Sequence, residues 1–424
     1  MESGKSGSGR LNADLDREAE HDPGAGRRIS VGLFLGGFAT FSLLYCTQPL
    51  LPDFARQFHV DAATSSLAVS LTTGALAISI MFAGAVSEAV GRRGLMFACL
   101  LAAALLNLFC ALAPGWTALL VARGAEGVVL GGVPAVGMAY LAEEVAPSRL
   151  GAAMGLYIGG NAFGGMVGRV AIGVLTHAFS WRVALGVISV TDLAAALVFI
   201  GLLPRSRRFE RRPGFDLVQN LAGWGRHLRQ PRMLLLFLTG FLAMSAFVTI
   251  YNYAGFRLSA PPYRLNPTQV GLIFLVYILG IFAASAAGAM ADRIGRAPVM
   301  ATGAACALAG VGLTVLHPLP AIVAGIAVVT VGFFVVHSVA SAWVGRLAGR
   351  DKGHAASLYL LAYYAGASVM GSIGGAVWRD GGWGAVSAYA GAMLLGIVAI
   401  ASLMGRDEGG PRANPVQTEP SERG

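Results

Sequence analysis

One short pattern occurs twice in this chain, each time at the polar end of a long apolar run. The first copy is Gly84-Ala-Val-Ser-Glu88-Ala-Val-Gly91-Arg92-Arg93, and the second is Gly288-Ala-Met-Ala-Asp292-Arg293-Ile-Gly295-Arg296. Each reads glycine, then an acid, then Gly-Arg. A loop repeated between apolar runs marks two similar membrane-embedded halves, the arrangement of secondary transporters.

Charge is too scarce for any other environment. Charged residues make up 12% of the sequence, against roughly 25% for an ordinary soluble domain. The 55% of hydrophobic residues provides about twelve spans of roughly 20 residues each. A net charge of +9 raises nucleic acid as a partner. The arginines, however, cluster in short loops between apolar runs, which is the positive-inside pattern, so no nucleic-acid partner is expected. Cys46, Cys99, Cys110 and Cys306 all lie within apolar runs without metal-ligand spacing and read as core or lipid-facing residues. The sequence carries no nucleophile triad, metal cluster or phosphate-cradling loop, so neither an enzyme nor a cofactor is expected.

The expected fold is all-α, with twelve transmembrane helices in two six-helix halves. Residues 1–28 read as a disordered cytoplasmic tail without a signal peptide. The first half, 29–203, holds spans at 29–49, 65–87, 94–114, 117–142, 149–176 and 182–203. A basic linker, 204–231, follows. The second half, 232–404, holds spans at 232–256, 268–290, 297–316, 319–345, 354–378 and 383–404, and 405–424 form a second disordered tail. Breaks fall at Pro49, Pro52, Gly91, Pro114, Pro147, Pro204, Pro261, Pro318 and Gly381. Within the linker, Arg205, Arg207, Arg208, Arg211 and Arg212 suit anionic headgroups. Leu217, Leu221, Trp224 and Leu228 then recur at helical spacing, as in an amphipathic surface helix.

One set of loops carries Arg27, Arg28, Arg92, Arg93, Arg149, Arg293, Arg296, Arg346, Arg350 and Lys352, and the alternate set only Arg56, Arg182, Arg257, Arg264 and Arg379. The richer set is cytoplasmic, with both termini. Trp116, Trp181, Trp378 and Trp383 fall at the opposite ends of their spans and suit an outer aromatic belt. Small residues form ladders: Ala75, Ser79, Ala83 and Ser87 in span 2; Gly151, Gly155, Gly159, then Gly160, Gly164, Gly168 in span 5; Gly280, Ala284, Gly288 in span 8; Ala367, Gly371, Gly375 in span 11. Ladders let helix backbones approach closely, so spans 2, 5, 8 and 11 are expected to form the contact between halves.

Over nearly all of residues 29–404 the chain resembles the major facilitator superfamily. The duplicated loop looks like its motif between helices 2 and 3 and between 8 and 9, with Ala89 standing where a basic residue is usual and Glu88 where Asp is commoner. The resemblance implies a gating role at the cytoplasmic side for Gly84, Glu88, Gly91, Arg92, Gly288, Asp292, Arg293, Gly295 and Arg296, through state-dependent ion pairs that involve helix 11. Leu120-x-x-Arg123-x-x-Glu126-Gly127 is similar to the helix 4 motif of proton-coupled members. Gly160-Asn161-x-x-Gly164-Gly165 is similar to the helix 5 antiporter motif, with Asn161 replacing its proline. Tyr140-Leu-Ala-Glu143-Glu144 and Gly155 to Asn161 look most like the bacterial YnfM-type branch of inner-membrane efflux transporters.

Ionisable groups within spans are few, and each costs roughly 2.5–3.5 kcal/mol at a bilayer centre. Arg123 and Glu126 share one helix face and form either a fixed ion pair or a proton site tuned by the arginine. Asp192 is the other proton-binding candidate, against a packing role. Arg169 either meets an anionic substrate or pairs with Asp192 or Glu126. His337 reads as a hydrogen-bonded core histidine. Tyr45, Gln48, Asn161, Asn252 and Tyr364, with Tyr251 and Tyr363, are candidates to line a substrate cavity. The function expected is proton-coupled efflux of a small molecule by alternating access, with uptake by symport or facilitated diffusion as the rival. The expected partners are that substrate, protons and the bilayer, the chain acting as a monomer in the bacterial inner membrane. Reporter fusions after Arg208 and after Arg264 are expected to report opposite sides of the membrane, and a shared side would refute the span count or the orientation.

Overall fold

In a bilayer every backbone N–H and C=O must find a partner within the chain, so an apolar run of this length becomes a helix. The computed structural model describes residues 23–204, 206, 217–349 and 351–408. Arg205, Arg207, Arg208, Arg211, Arg212 and Arg350 lie outside these residues, as do 1–22 and 409–424 of the expected tails.

Eleven described helices are long and apolar enough to cross a membrane. Spans 1 to 6 are Gly26–Phe58, Ala62–Val90, Arg92–Leu112, Trp116–Glu144, Ser148–Ala178 and Trp181–Leu202. Spans 7 to 10 are Pro231–Ser259, Pro267–Ile294, Arg296–Val315 and Leu319–Leu347. The last helix, Lys352–Arg406, is too long for one crossing. It is broken at Gly382, whose φ of 58° and ψ of −151° are not helical, and so supplies spans 11 and 12. The regular helix of span 1 begins at Pro23, inside the stretch expected as a tail, and span 12 continues to Glu408.

Four spans lose regular helix part-way along, span 4 at residues 131–133 just before Pro134. Span 1 ends its regular part at Tyr45 and passes through a tight turn at Gln48–Leu50, where Pro49 supplies no N–H, before resuming at Leu51–Phe58. The sequence had marked this proline as the end of the span. Span 8 tightens at Ile273–Val276, and span 11 widens into a π turn at Gly366–Met370. Such irregular turns recur at functional sites.

Spans 1 to 6 pack mainly on one another, with span 1 against spans 5 and 6, span 2 against 4 and span 3 against 6. Spans 7 to 12 do the same, with span 9 against 10 and 12, span 8 against 10 and span 7 against 11 and 12. The halves meet through spans 2 with 11 and spans 5 with 8, as the ladders predict. The ladders also do other work. In span 5, Gly160 and Gly164 seat against span 1 of the same half. A Cβ at Gly164 would lie 2.1 Å from the Phe38 carbonyl oxygen, and one at Gly160 2.4 Å from that of Phe34. Gly280 of span 8 faces Phe334 of span 10, and Ser79 of span 2 donates to the Val128 carbonyl of span 4.

The tightest contacts between halves lie toward the end far from the described termini, although span 2 also packs on Lys352–Ala365 of span 11. At the far end a Cβ on Gly173 would meet the Pro267 carbonyl oxygen at 2.5 Å, and one on Gly375 would meet the Ala63 Cα at 2.2 Å. Ser368 Oγ donates to the Ser70 carbonyl at 2.7 Å. Asp61 caps span 2 by accepting from Thr64 N at 2.7 Å and pairs with Arg379 at 3.0 Å. The Thr64 bonds first, and then Arg379, hold the Asp61 carboxyl below its ordinary value. The pair is exposed and adds little stability. At the other end, Gly151, Gly155, Gly159 and Gly288 have nothing within 4 Å of a built Cβ. Gly155 lies about five turns from Gly173 at roughly 3.6 residues per turn, so both share one face of span 5. Gly288 lies close to five turns from Gly271 as well, because the intervening Ile273–Val276 winds at roughly 3 residues per turn. Spans 5 and 8, which touch at the far end, are therefore apart at the near end, and the structure is open between them there.

The connection between halves contains the helix Leu217–Leu228. Trp224 Nε1 donates to Ser357 Oγ at 3.2 Å, Arg226 bonds Asp351 at 2.5 Å and His354 Nε2 meets Asn220 Oδ1 at 3.1 Å. This helix is docked on the start of span 11 rather than merely tethering the halves. Burial alone raises the Asp351 carboxyl, but bonds from His354 and Arg226 outweigh it and hold the group below its ordinary value. Val218 and Leu221 remain exposed on the opposite side, as an interfacial helix requires.

Two glycines separate packing from movement. Gly164→Val is expected to overpack the span 1 contact and destabilise the protein by about 1–3 kcal/mol or more, read as a lowered Tm in detergent. Gly155→Val is expected to keep the wild-type Tm and lose most transport, because it blocks closure of the open end. Equal Tm losses in both variants would refute the assignment of Gly155 to a moving surface.

Candidate transport site

The buried ionisable groups begin with Arg123 and Glu126, three residues apart on span 4 and both without exposure. Arg123 Nη1 donates to Glu126 Oε2 at 2.6 Å. The same guanidinium donates to the carbonyl oxygens of Leu43 at 3.0 Å, Leu44 at 2.8 Å and Ala68 at 2.9 Å. It therefore pins spans 1, 2 and 4 together, and sequence spacing showed only the glutamate among these partners. Glu126 Oε1 is left without a partner.

Asp192 of span 6 is buried, and neither carboxylate oxygen makes a hydrogen bond. The Ser42 hydroxyl of span 1 lies alongside, outside hydrogen-bonding geometry, and no cation reaches it among the described residues. Nearby, Asn107 Nδ2 donates to Ser189 Oγ at 2.9 Å. Of these two buried carboxylates only Glu126 is paired with a guanidinium.

Arg169 does not join them. It projects from span 5 with 3% exposure. Its Nε donates to Gln48 Oε1 at 2.7 Å and its Nη1 to the Gly165 carbonyl at 2.7 Å. Gln48 Nε2 in turn donates to Asn252 Oδ1 of span 7 at 2.7 Å, so the chain of bonds crosses between halves. The guanidinium carbon lies 4.2 Å from the Tyr45 ring centroid and 5.1 Å from those of Phe274 and Tyr277. No carboxylate among the described residues pairs with it, so neither Asp192 nor Glu126 is its partner. The irregular turns of spans 1 and 8 place Gln48 and Phe274 at this point. Tyr45 Oη and Asn252 Nδ2 are buried without partners.

An aromatic wall from the second half continues from this group. Phe247 stacks on Phe333 at 3.8 Å and Tyr251 on Phe274 at 4.9 Å, while Tyr251 Oη bonds Thr330 Oγ1 at 2.7 Å. His337 Nδ1 meets Tyr359 Oη at 3.0 Å, a hydrogen-bonded histidine as its sequence context implies. Tyr364 is buried edge-on to Tyr363 at 5.0 Å. Asn161 is elsewhere. It sits against Gly37, where a built Cβ would lie 2.2 Å from its Oδ1, so it packs spans 1 and 5 together rather than joining Arg169. Phe274 and Tyr277 carry no sequence signal that would single them out from other aromatics in apolar runs.

At the open end the two loop motifs form matching turns. Gly91 and Gly295 take φ of 105° and 94°, which side chains other than glycine resist. Arg92 grips both carboxylate oxygens of Glu143 of span 4 through its Nε and Nη2, the Nε bond measuring 2.6 Å, and its Nη1 reaches Ser87 Oγ at 3.3 Å. Asp292 pairs with Arg346 at 2.9 Å and Arg296 at 3.7 Å. Glu88 and Arg293 have no ion pair among the described residues, and Gly84 and Gly288 face open space. In this conformation every motif ion pair stays within its own half.

Known proteins agree with this architecture. The family model of the major facilitator superfamily matches residues 33–263 and 242–423. The MFS-type transporter YybF of Bacillus subtilis (strain 168) is 44% identical over 372 residues, covering 87% of this chain and 91% of YybF. The inner membrane transport protein YnfM of Escherichia coli (strain K12) is 43% identical over 369 residues, covering 87% and 88%. A point mutant of the nucleoside transporter NupG shares the fold, with a TM-score of 0.74 at 13% identity over 88% of this chain and 99% of that one. With a family model over most of its length and two such transporters as relatives, the chain belongs to the major facilitator superfamily and is a multi-pass membrane transporter.

Proposed function

We propose that this protein is a proton-coupled secondary transporter of the bacterial inner membrane. It exports a small molecule by alternating access, with both termini and the 204–231 linker in the cytoplasm. Loop charges support that orientation, and with it the open end is the cytoplasmic one. The duplicated motif loops lie at that end, where Asp292, Arg296, Arg346, Arg92 and Glu143 exchange partners as the halves rock.

The observation that supports proton coupling is the unpaired carboxylate of Asp192 inside the first half. Arg123 neutralises one carboxylate, Glu126. A second buried carboxylate without a cation is expensive enough that it takes up a proton instead. Asp192 is therefore the protonated acid in this conformation and Glu126 the charged one. Rearrangement of spans 1, 2 and 4 around Arg123 changes which acid holds the proton and on which side it is released. One observation favours the rival reading of uptake by symport: Asn161 replaces the antiporter proline, and span 5 runs as unbroken helix over Pro147–Ala178.

Inside-out vesicles, with and without an imposed proton gradient, test both readings on a panel of radiolabelled solutes. Accumulation driven by the gradient supports export. Asp192→Asn is expected to abolish that accumulation while leaving exchange down the solute's own gradient intact. Glu126→Gln leaves Arg123 unpaired and is expected to destabilise the protein by about 3–5 kcal/mol, so its Tm is read alongside. If both variants fold and stay fully coupled, proton coupling through this pair is refuted.

A further inference from the structure

The buried charge of Arg169 is not needed to balance any acid. Its two hydrogen bonds go to neutral acceptors, the Gln48 amide and the Gly165 carbonyl. Around it the unpartnered polar atoms are donors: the Tyr45 hydroxyl and the Asn252 Nδ2. A guanidinium, a hydroxyl and an amide N–H without a matching acceptor make an anion-binding set. The rings of Tyr45, Phe274 and Tyr277 exclude water beside it and strengthen any charge-assisted bond formed there. They already stack on one cation, so a second cation would be repelled, although aromatic walls often receive cations. One guanidinium matches one negative charge.

The geometry points to Arg169, Tyr45, Gln48 and Asn252 as the recognition site for a monovalent organic anion, whose flat apolar body lies against the aromatic wall of the second half. This inference rests on the reading of the chain as an alternating-access transporter and names the substrate class for it. The anion docks on Arg169 and accepts from Tyr45 and Asn252. Gln48 joins span 1 to Asn252 of span 7, so occupancy of the site reports on the contact between halves. Asp192 and Glu126 lie within the first half and stay out of the anion's contact.

Benzoate is the probe, with neutral benzamide and cationic benzylamine as matched controls. Binding to the purified full-length protein is measured by Tm shift and by equilibrium titration, and movement is measured in proteoliposomes. Saturable benzoate binding is expected at millimolar concentration, with benzamide and benzylamine at least about tenfold weaker. Arg169→Gln is expected to weaken benzoate about tenfold or more, Arg169→Lys less, and Tyr45→Phe several-fold with an unchanged ligand-free Tm. The inference is overturned by absent benzoate binding, by benzamide binding equally well, or by folded Arg169→Lys and Tyr45→Phe variants that both keep wild-type benzoate affinity. Benzoate binding that depends on Arg169 but yields no movement across the proteoliposome membrane, with or without a gradient, sinks the transport reading and leaves the site standing.

Discussion

A guanidinium with no access to water caps a broken helix, and much of the structure follows from it. Span 1 loses its regular hydrogen bonding after Tyr45, which leaves carbonyl groups of its last turn without helical partners. Cys46 N takes that of Ser42, and Arg123 takes those of Leu43 and Leu44. In hydrocarbon an orphaned carbonyl costs several kcal/mol, so the break is tolerable because span 4 supplies this cap. The break in turn releases Gln48 from the helix to receive Arg169 and reach Asn252. One buried cation thus makes possible the surroundings of the other.

Backbone contact supplies the second constraint. Glycines at the span 1–5 contact admit no side chain, and the half behaves there as a rigid unit. Gly173 with Gly271 and Gly375 with Ala63 make equally close contacts between halves, but only at one end. The same helical faces continue down spans 5 and 8 as small residues that touch nothing. Spans 5 and 8, smooth along facing sides yet joined at one end, can be joined at the other end instead without new chemistry. Packed interfaces of this kind switch between discrete arrangements rather than deforming continuously.

Much of this was legible in the sequence. Apolar length gave the spans, the small-residue ladders marked spans 2, 5, 8 and 11 as the contact between halves, and the three-residue spacing of Arg123 and Glu126 put them on one helix face. What remained hidden depends on contacts that no local pattern encodes. The Arg123 bonds to Leu43, Leu44 and Ala68 go to backbone, which every residue has. Charge pairing is the usual fate of a buried arginine, yet an amide, a backbone carbonyl and three rings hold Arg169. Asn161 and Arg169 are eight residues apart on span 5, but close packing on Gly37 turns Asn161 toward span 1. Pro49 signalled an end to span 1 correctly in kind, as a loss of N–H, but the chain resumes helix beyond it because Leu51 to Phe58 still have apolar neighbours to pack on.

The two halves repeat a fold without repeating its charges. Among the described residues, the deeply buried charged side chains are Arg92, Arg123, Glu126, Arg169 and Asp192, all from the first half. The second half contributes rings and neutral polar groups: Phe247, Phe333, Tyr251, Thr330, Asn252. Charge is therefore held within one closely packed unit, and the second half presents neutral groups to it. Opening the far end parts span 1 from span 7 and breaks the bond between Gln48 and Asn252. Gln48 and Arg169 then stay on one wall and Asn252 on the other. In the proposed cycle, a group that bridges Arg169 and Asn252 would hold that end shut, and one bound to Arg169 alone would leave it free to open.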